Sequence, residues 1–148
     1  MGYTHYWTQT RDFTLEEMGD IAASAWRIIA EADCDVCGPH GDEGTPPMLT
    51  KTTVSLNGRD EHAHETFHFE ATRQEPYAGG EPGWSCCKTA CKPYDVVVTA
   101  CLTFLSVDYG FEVSSDGEVE DWEAGVALAE QALGRKFANP MIVNALVA

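Results

Sequence analysis

Basic residues are scarce in this sequence. Its 148 residues include 24 acidic residues but nine Lys or Arg, four of them lysines, and the formal net charge at pH 7 is −15. Such a surface repels nucleic acids and anionic membranes, so we expect neither as a partner. The acidic residues are scattered along the chain and not paired in rows. This pattern favours solvated faces, as in a protein that stays hydrated in concentrated salt, over a DNA mimic that binds a basic protein.

Long apolar segments are also lacking. No run of 18 apolar residues is present, which predicts no membrane span. The start, MGYTHYWTQTRD, has no basic stretch followed by an apolar core, which predicts no secretory signal. We therefore expect a cytoplasmic protein, in the host cytoplasm if a virus encodes it. The motifs GxSxG, HExxH and GxGxxG and the phosphate-binding loop are absent too, so no recognised motif indicates an enzyme.

The order of the predicted elements indicates a single α+β domain over residues 1–148. Thr14 and Glu17 form a capping-box pattern at the start of a helix, and Asn57-Gly58 is a tight-turn dipeptide between two strands. The predicted strands cover residues 2–9, 49–56, 60–71 and 111–114, and the predicted helices cover residues 14–33, 93–109 and 120–133. This order, β-α-β-β-α-β-α, predicts a mostly antiparallel sheet of about four strands covered by three helices.

Two segments are predicted loops: 33–48, which is rich in Gly, Pro and Asp, and 72–85, which is rich in Gly and Pro. The apolar tail, residues 135–148, is expected to pack against the domain as an added strand or to form a dimer contact. A homo-oligomer or a protein partner is therefore one expectation.

Six cysteines in a chain without a predicted secretory signal favour a reducing compartment, with thiols buried or bound to a metal. Cys34 and Cys37 have zinc-knuckle spacing on a predicted loop. Cys87 and Cys91 could supply the other pair of a tetrahedral, structural Zn²⁺ site, with His40 as a substitute ligand. Structural zinc, reduced thiols and a disulfide remain as alternatives.

The segment 85–95, SCCKTACKPYD, gathers two of the four lysines, Lys88 and Lys92, next to a proline that suits the first turn of a helix. The first N–H groups of a helix lack internal partners and carry positive potential. With the two ammonium groups and the hydroxyl of Thr89, this helix start is a candidate cradle for phosphate or carboxylate. Alternatively, Asp95 caps the N–H groups and the lysines are solvated.

Two catalytic alternatives also follow from the sequence. Cys91 lies near the two lysines and a helix start, which would lower its pKa and make it a nucleophile, but no partner histidine is identifiable. His62 and His64 would share one face of a strand, with His68 further along, as in a metal-dependent hydrolase. Surface histidines on a hairpin are the other interpretation, because no acidic third ligand follows at a recognisable spacing.

Three motifs resemble a family of small uncharacterised proteins found in tailed viruses and microbial genomes. They are GYTHYW at 2–7, CKTACKPYD at 87–95, and SDG at 115–117 with the later Trp122. The family's middle motif resembles CKTxRKPYD, and Cys91 stands here at the arginine, which lowers the positive charge and suggests recruitment of Cys91 for metal. The family implies no catalytic residues. The shared residues are aromatic and polar, as in a pocket; the implied ligand-binding residues are Tyr3, His5, Trp7, Lys88, Thr89, Lys92, Tyr94, Asp95 and Asp116.

The leading hypothesis is therefore a small acidic accessory protein of viral type that binds a compact anionic, nucleotide-derived ligand and could sequester a defence signal. The lysines and the helix start would hold the anion, the aromatic side chains would form the walls, and Asp116 would accept a hydrogen bond from a hydroxyl. A zinc-stabilised structural or protein-interaction module is the alternative, and a metal-dependent hydrolase is a further one.

Overall fold

The chain folds into two small antiparallel sheets with helices packed against them. The computed structural model of the protein describes residues 2–75 and 80–147. Within these residues the strands are β1 (Thr4–Thr8), β2 (Met48–Leu49), β3 (Thr53–Leu56), β4 (Phe67–Glu70), β5 (Trp84–Lys88) and β6 (Glu112–Ser115). The α-helices are α1 (Leu15–Glu31), α2 (Asp95–Tyr109), α3 (Val119–Leu133) and α4 (Pro140–Val147), and a 3₁₀ turn covers Asp60–His62.

The first sheet has β1 at its centre, between β5 and β6. In its register Thr4 lies opposite Lys88, whereas His5 lies opposite Cys87 and Ser115. Side chains of a strand alternate between the two faces of a sheet. His5 and Trp7 therefore share the inner face, where both are fully buried. This face lies against α2 and α3, and we call the opposite face the outer face.

The second sheet, in the order β2-β3-β4, closes the core from another side. Phe67 and Phe69 of β4 are buried, as their alternation with polar residues predicts. The ring centroid of Phe67 lies 5.1 Å from that of Trp7, so the two sheets share one apolar interior.

Helix α2 lies within the helix predicted over residues 93–109 and is buried along most of its length. Helix α3 packs closely on it because Gly125 carries no side chain; a Cβ there would overlap Oγ1 of Thr99.

The predicted α+β class is confirmed, but the strand pattern differs. Residues 49–56 are not one strand, because the backbone turns between Thr50 and Thr53 and pairs β2 with β3. Asn57-Gly58 is not the hairpin turn. The Asn57 side chain instead donates to the carbonyls of Pro39 and His64 and holds two loops together.

The segment 72–85 is not wholly loop, because β5 begins at Trp84. Pro76 and Gly79, predicted to lie in this loop, are outside the described residues. The tail contains the helix α4 instead of an added strand. Asn144 of α4 donates a 2.7 Å hydrogen bond to the carbonyl of Val113, which covers the free edge of β6. Across the described ranges, no helix is both long and apolar enough to span a membrane.

Candidate functional site

A buried histidine lies at the centre of the candidate site. The ring of His5 is fully buried; its Nε2 lies 2.6 Å from Oδ1 of Asp95 and its Nδ1 lies 2.8 Å from Oγ of Ser115. A carboxylate only accepts hydrogen bonds, so Nε2 carries a proton, and in the neutral ring Nδ1 accepts from the Ser115 hydroxyl. The Ser115 oxygen in turn accepts from the N–H of Gly117, at 2.8 Å.

Asp95, the first residue of α2, joins this histidine to the lysine-rich segment. The same Oδ1 accepts a 2.5 Å hydrogen bond from Oγ1 of Thr89, which is fully buried. The alternative in which Asp95 caps the helix is wrong, because Tyr94 occupies the N-cap position and no side chain makes a cap bond there. The carboxylate binds side chains of β1 and of the turn instead. We call His5, Thr89, Asp95 and Ser115 the histidine network.

The turn at residues 89–92 has an unusual backbone. The N–H of Lys92 donates to the carbonyl of Thr89 at 3.0 Å, and the two residues between them, Ala90 and Cys91, have φ angles of 53° and 58°. Residues with a Cβ are strained there by about 1–2 kcal/mol each. The N–H of Ala90 donates to the carbonyl of Tyr3 at 3.2 Å, so the turn is held against the start of β1. Backbone strain of this kind clusters at functional sites.

The two lysines lie on either side of this turn. Lys88 is half-buried on the outer face and extends over Gly2, where a Cβ would lie 2.9 Å from its Cε. Lys92, also half-buried, follows the turn. In residues 2–75 and 80–147, five of the nine Lys and Arg side chains pair with a carboxylate within 4.0 Å, but Lys88 and Lys92 do not. Arg27 and Lys51 also lack such a partner there, but they lie on α1 and in the β2–β3 turn.

Two aromatic rings contact His5 edge-on. The centroid of Tyr3 lies 5.0 Å away and that of Trp122 lies 5.1 Å away. Burial, and then the carboxylates of Asp95 and Asp121, raise the pKa of Tyr3, so its hydroxyl stays protonated and can donate. Nε1 of Trp122 is buried and has no hydrogen-bond partner within the described part of the chain. Sequence reasoning missed Ser115 and Asp121 as neighbours of the site, although Ser115 begins the SDG motif.

Three predicted site residues make their described side-chain contacts away from the turn at 89–92. Trp7 is 1% exposed and packs in the core. Tyr94 is fully buried, and its hydroxyl donates to the carbonyl of Glu65 at 2.5 Å. Asp116 lies beyond the outer face and accepts from the Thr4 N–H and the Tyr6 hydroxyl, each at 3.1 Å. The remaining six, Tyr3, His5, Lys88, Thr89, Lys92 and Asp95, surround the start of β1 and the turn at 89–92.

The four cysteines predicted to bind zinc occupy separate surroundings. The backbone of Cys37 pairs with Asn57, Cys87 is buried in β5, and Cys34 and Cys91 lie in loops. Among the described residues, no group of three or more His, Cys, Asp or Glu side chains could hold a metal ion, and all six thiols are free. Structural zinc therefore stays a prediction without geometric support in those residues.

The predicted activation of Cys91 is wrong. Partial burial, and then the negative charges of Asp95 and Asp121, raise the pKa of its thiol. Carboxylates, not lysines, thus dominate the electrostatics around this sulfur. A thiol with a raised pKa carries less of the nucleophilic thiolate at neutral pH.

The predicted histidine face is also wrong. His62 lies in the 3₁₀ turn, His64 in the following loop and His68 on β4, so the three do not share a strand. The ring of His68 lies beside Ser55, with 3.1 Å between Nδ1 and Oγ.

The series Ser115–His5–Asp95 contains the three groups of a hydrolytic triad, but its surroundings suit a structural role. A general base must reach the proton it removes from the reacting group. His5 is fully buried, and the Ser115 oxygen is already held by the N–H of Gly117. The histidine network therefore fixes the positions of Thr89, Tyr3 and the turn.

Comparisons with protein-family models, with curated proteins and with solved structures find no match, so the resemblance seen in the three motifs stays a prediction.

Proposed function

We propose that this protein binds a compact anionic ligand at the turn formed by residues 89–92. The observation that carries the proposal is the state of Lys88 and Lys92. Both are half-buried beside the turn, and neither has a carboxylate partner within the described residues, in a chain of 24 acidic residues. Partly burying a cation without a counter-ion is unfavourable, and an anionic ligand would supply the missing partner.

The backbone of the turn supports the same proposal. Ala90 and Cys91 adopt positive φ angles at a cost in stability, and the histidine network and the bond to Tyr3 hold them there. A rigid turn of this kind binds a ligand with little further loss of conformational entropy. Preorganised sites therefore retain more of their interaction energy as affinity.

The carboxylates beside the turn narrow the ligand class. Asp95 and Asp121 would repel a plain anion near Tyr3. Oδ2 of Asp95 has no partner in the described part of the structure, and its side chain is 19% exposed, so it can accept a hydrogen bond from a hydroxyl. A ligand with an anionic end for the two lysines and a hydroxyl-bearing end for the Asp95 carboxylate would match both the positive and the negative groups of the site. A nucleotide-derived ligand in which the phosphate chain also carries a hydroxyl-bearing group at its far end has this composition.

Calorimetric titration with tripolyphosphate, a probe without ring or hydroxyls, tests the anion site. Charge-assisted hydrogen bonds contribute about 1.5–3 kcal/mol, so Lys88→Gln and Lys92→Gln should each weaken binding at least tenfold. Lys51→Gln, which also removes a lysine without a described ion-pair partner, should leave the affinity unchanged. Equal affinities for all three variants would refute the proposal, as would the absence of binding by the unmodified protein at low salt.

A further inference from the structure

A groove separates the two sheets beside β5. The groove has a volume of about 330 Å³ and is lined, among other residues, by Trp7, Phe69, His68, Glu70, Trp84 and Cys86. Trp7 and Phe69 belong to the buried side of their strands and form an apolar floor. This volume lies at the lower end of the range for small-ligand pockets, which is about 300–1,000 Å³.

The edge of β5 leaves backbone groups unpaired along this groove. Bonded pairs alternate in an antiparallel ladder, and the N–H of Gln9 bonds to the carbonyl of Gly83. The backbone groups of Trp84, Cys86 and Lys88 therefore point away from β1. The carbonyl of Lys88 accepts a hydrogen bond from the N–H of Glu65 at 3.1 Å, and the N–H of Lys88 donates to Oε1 of Glu65 at 2.8 Å. The backbone groups of Cys86 have no hydrogen-bond partner in the described residues.

The side chains on the outer face of β5 complement these backbone groups. Trp84 is 46% exposed and stacks on Tyr6, with 6.3 Å between ring centroids and 28° between ring planes. The Tyr6 hydroxyl donates to Asp116, and this bond helps to fix the position of the Tyr6 ring on which Trp84 stacks. Tyr6 does not line the groove, which leaves the groove side of Trp84 for another ring. Lys88 follows on the same face, four residues or about 13 Å along the strand.

We infer that the groove takes the base of a nucleotide whose phosphate chain reaches Lys88. This inference rests on the proposed function and adds the ring-bearing half of the ligand. The base stacks on Trp84 over the apolar floor, and its polar edge bonds to the free N–H and carbonyl of Cys86. An added peptide strand fits less well along the edge of β5, because both ends of that edge are already bonded within the chain. Lys88 bonds to Glu65 at one end, and the N–H of Gly83 donates to the carbonyl of Gln74 at the other.

Titration with ATP beside tripolyphosphate tests the inference, because the two share the phosphate chain and differ in the base and sugar. Stacking on an aromatic side chain contributes enough for Trp84→Ala to weaken ATP binding about tenfold to a hundredfold, while the affinity for tripolyphosphate stays the same. Trp84→Tyr, which keeps a ring, should restore most of the loss. Trp26→Ala is the matched control, because Trp26 is 44% exposed but lies on α1.

Each result separates this inference from the proposed function. If Trp84→Ala and Trp26→Ala bind ATP equally well while Lys88→Gln weakens both ligands, the base-binding groove is wrong and the anion site stands. If tripolyphosphate does not bind at all, the proposed function is wrong, and the inference falls with it. A crystal structure with the groove filled by the protein's own chain would also overturn the inference.

Discussion

Replacement of Asp95 should reveal how far the histidine network stabilises the fold. Asp95→Ala removes the acceptor of two hydrogen bonds and leaves Nε2–H of His5 and the hydroxyl of Thr89 unpaired; both side chains are fully buried. Each buried group without a partner costs about 1–3 kcal/mol, so the free energy of unfolding should fall by about 2–6 kcal/mol. This is a large part of the stability of an ordinary domain, which is about 5–15 kcal/mol.

A more conservative replacement gives an intermediate value. Asp95→Asn keeps an oxygen that accepts both bonds but removes the charge. Bonds to a charged group contribute about 1 kcal/mol more than neutral ones, so the expected loss is about 2 kcal/mol. Urea unfolding followed by tryptophan fluorescence and circular dichroism measures these differences. Glu16→Ala, an exposed acid in the first turn of α1, controls for the helix dipole and should cost about 0.3–1 kcal/mol.

The double variant Asp95→Ala with Thr89→Val gives the sharper result. Once Thr89 loses its hydroxyl, one of the two unpaired donors no longer exists. The summed losses of unfolding free energy of the two single variants should therefore exceed the loss of the double variant by about 1 kcal/mol or more. Strict additivity, or a loss for Asp95→Ala no larger than for Glu16→Ala, would show that the network as described does not stabilise the protein.

Three further predictions concern strain, pH and metal. Ala90→Gly should raise the free energy of unfolding by about 1 kcal/mol, because glycine adopts its φ of 53° without strain; a loss of stability in urea would contradict this. Burial raises the pKa of the Cys87 and Cys101 thiols to about 12. The stability that these buried thiols contribute is therefore present below their unfolded pKa of about 8.5 and is lost as the pH rises towards 12. The loss amounts to at most about 1.4 kcal/mol per pH unit for each thiol. Cys101→Val should flatten that slope between pH 9 and 11, and an unchanged slope would refute the assignment. Because no metal-holding group exists among the described residues, EDTA should leave the melting temperature unchanged, and a fall of several degrees together with one bound zinc would revive the zinc hypothesis.

Local patterns predicted the elements whose signals lie within a few residues. The capping box at Thr14 and Glu17 forms in both directions, at 3.1 Å each, because its partners are three residues apart. The strand predicted over residues 2–9 contains β1, in which His5 and Trp7 share one face as the alternation of a strand requires. In contrast, β5 has no alternating pattern of its own. It exists because β1, some 80 residues away in sequence, offers an edge with which it pairs.

The same long-range pairing explains why the candidate site was predicted only in part. Spacing within segment 85–95 indicated that cations gather at a helix start, but not that Thr89 would turn inward to Asp95 while Lys88 faces outward opposite Thr4. Such facts depend on which strand lies beside which. The prediction of a lowered pKa for Cys91 failed for a related reason, because Asp121, which helps to raise that pKa, comes from the distant helix α3.

Groups from both faces of the first sheet lie close to the start of β1. On the outer face, Lys88 extends over Gly2, which has no side chain to block it. The bond from the Ala90 N–H to the Tyr3 carbonyl brings the turn at 89–92 to the same end of the strand. A ligand bound there contacts groups of both faces, so Gly2→Val should impair tripolyphosphate binding by displacing the Lys88 side chain. Because no described hydrogen bond holds Gly2, the free energy of unfolding should change little, and a variant that binds normally would place the anion away from this end of β1.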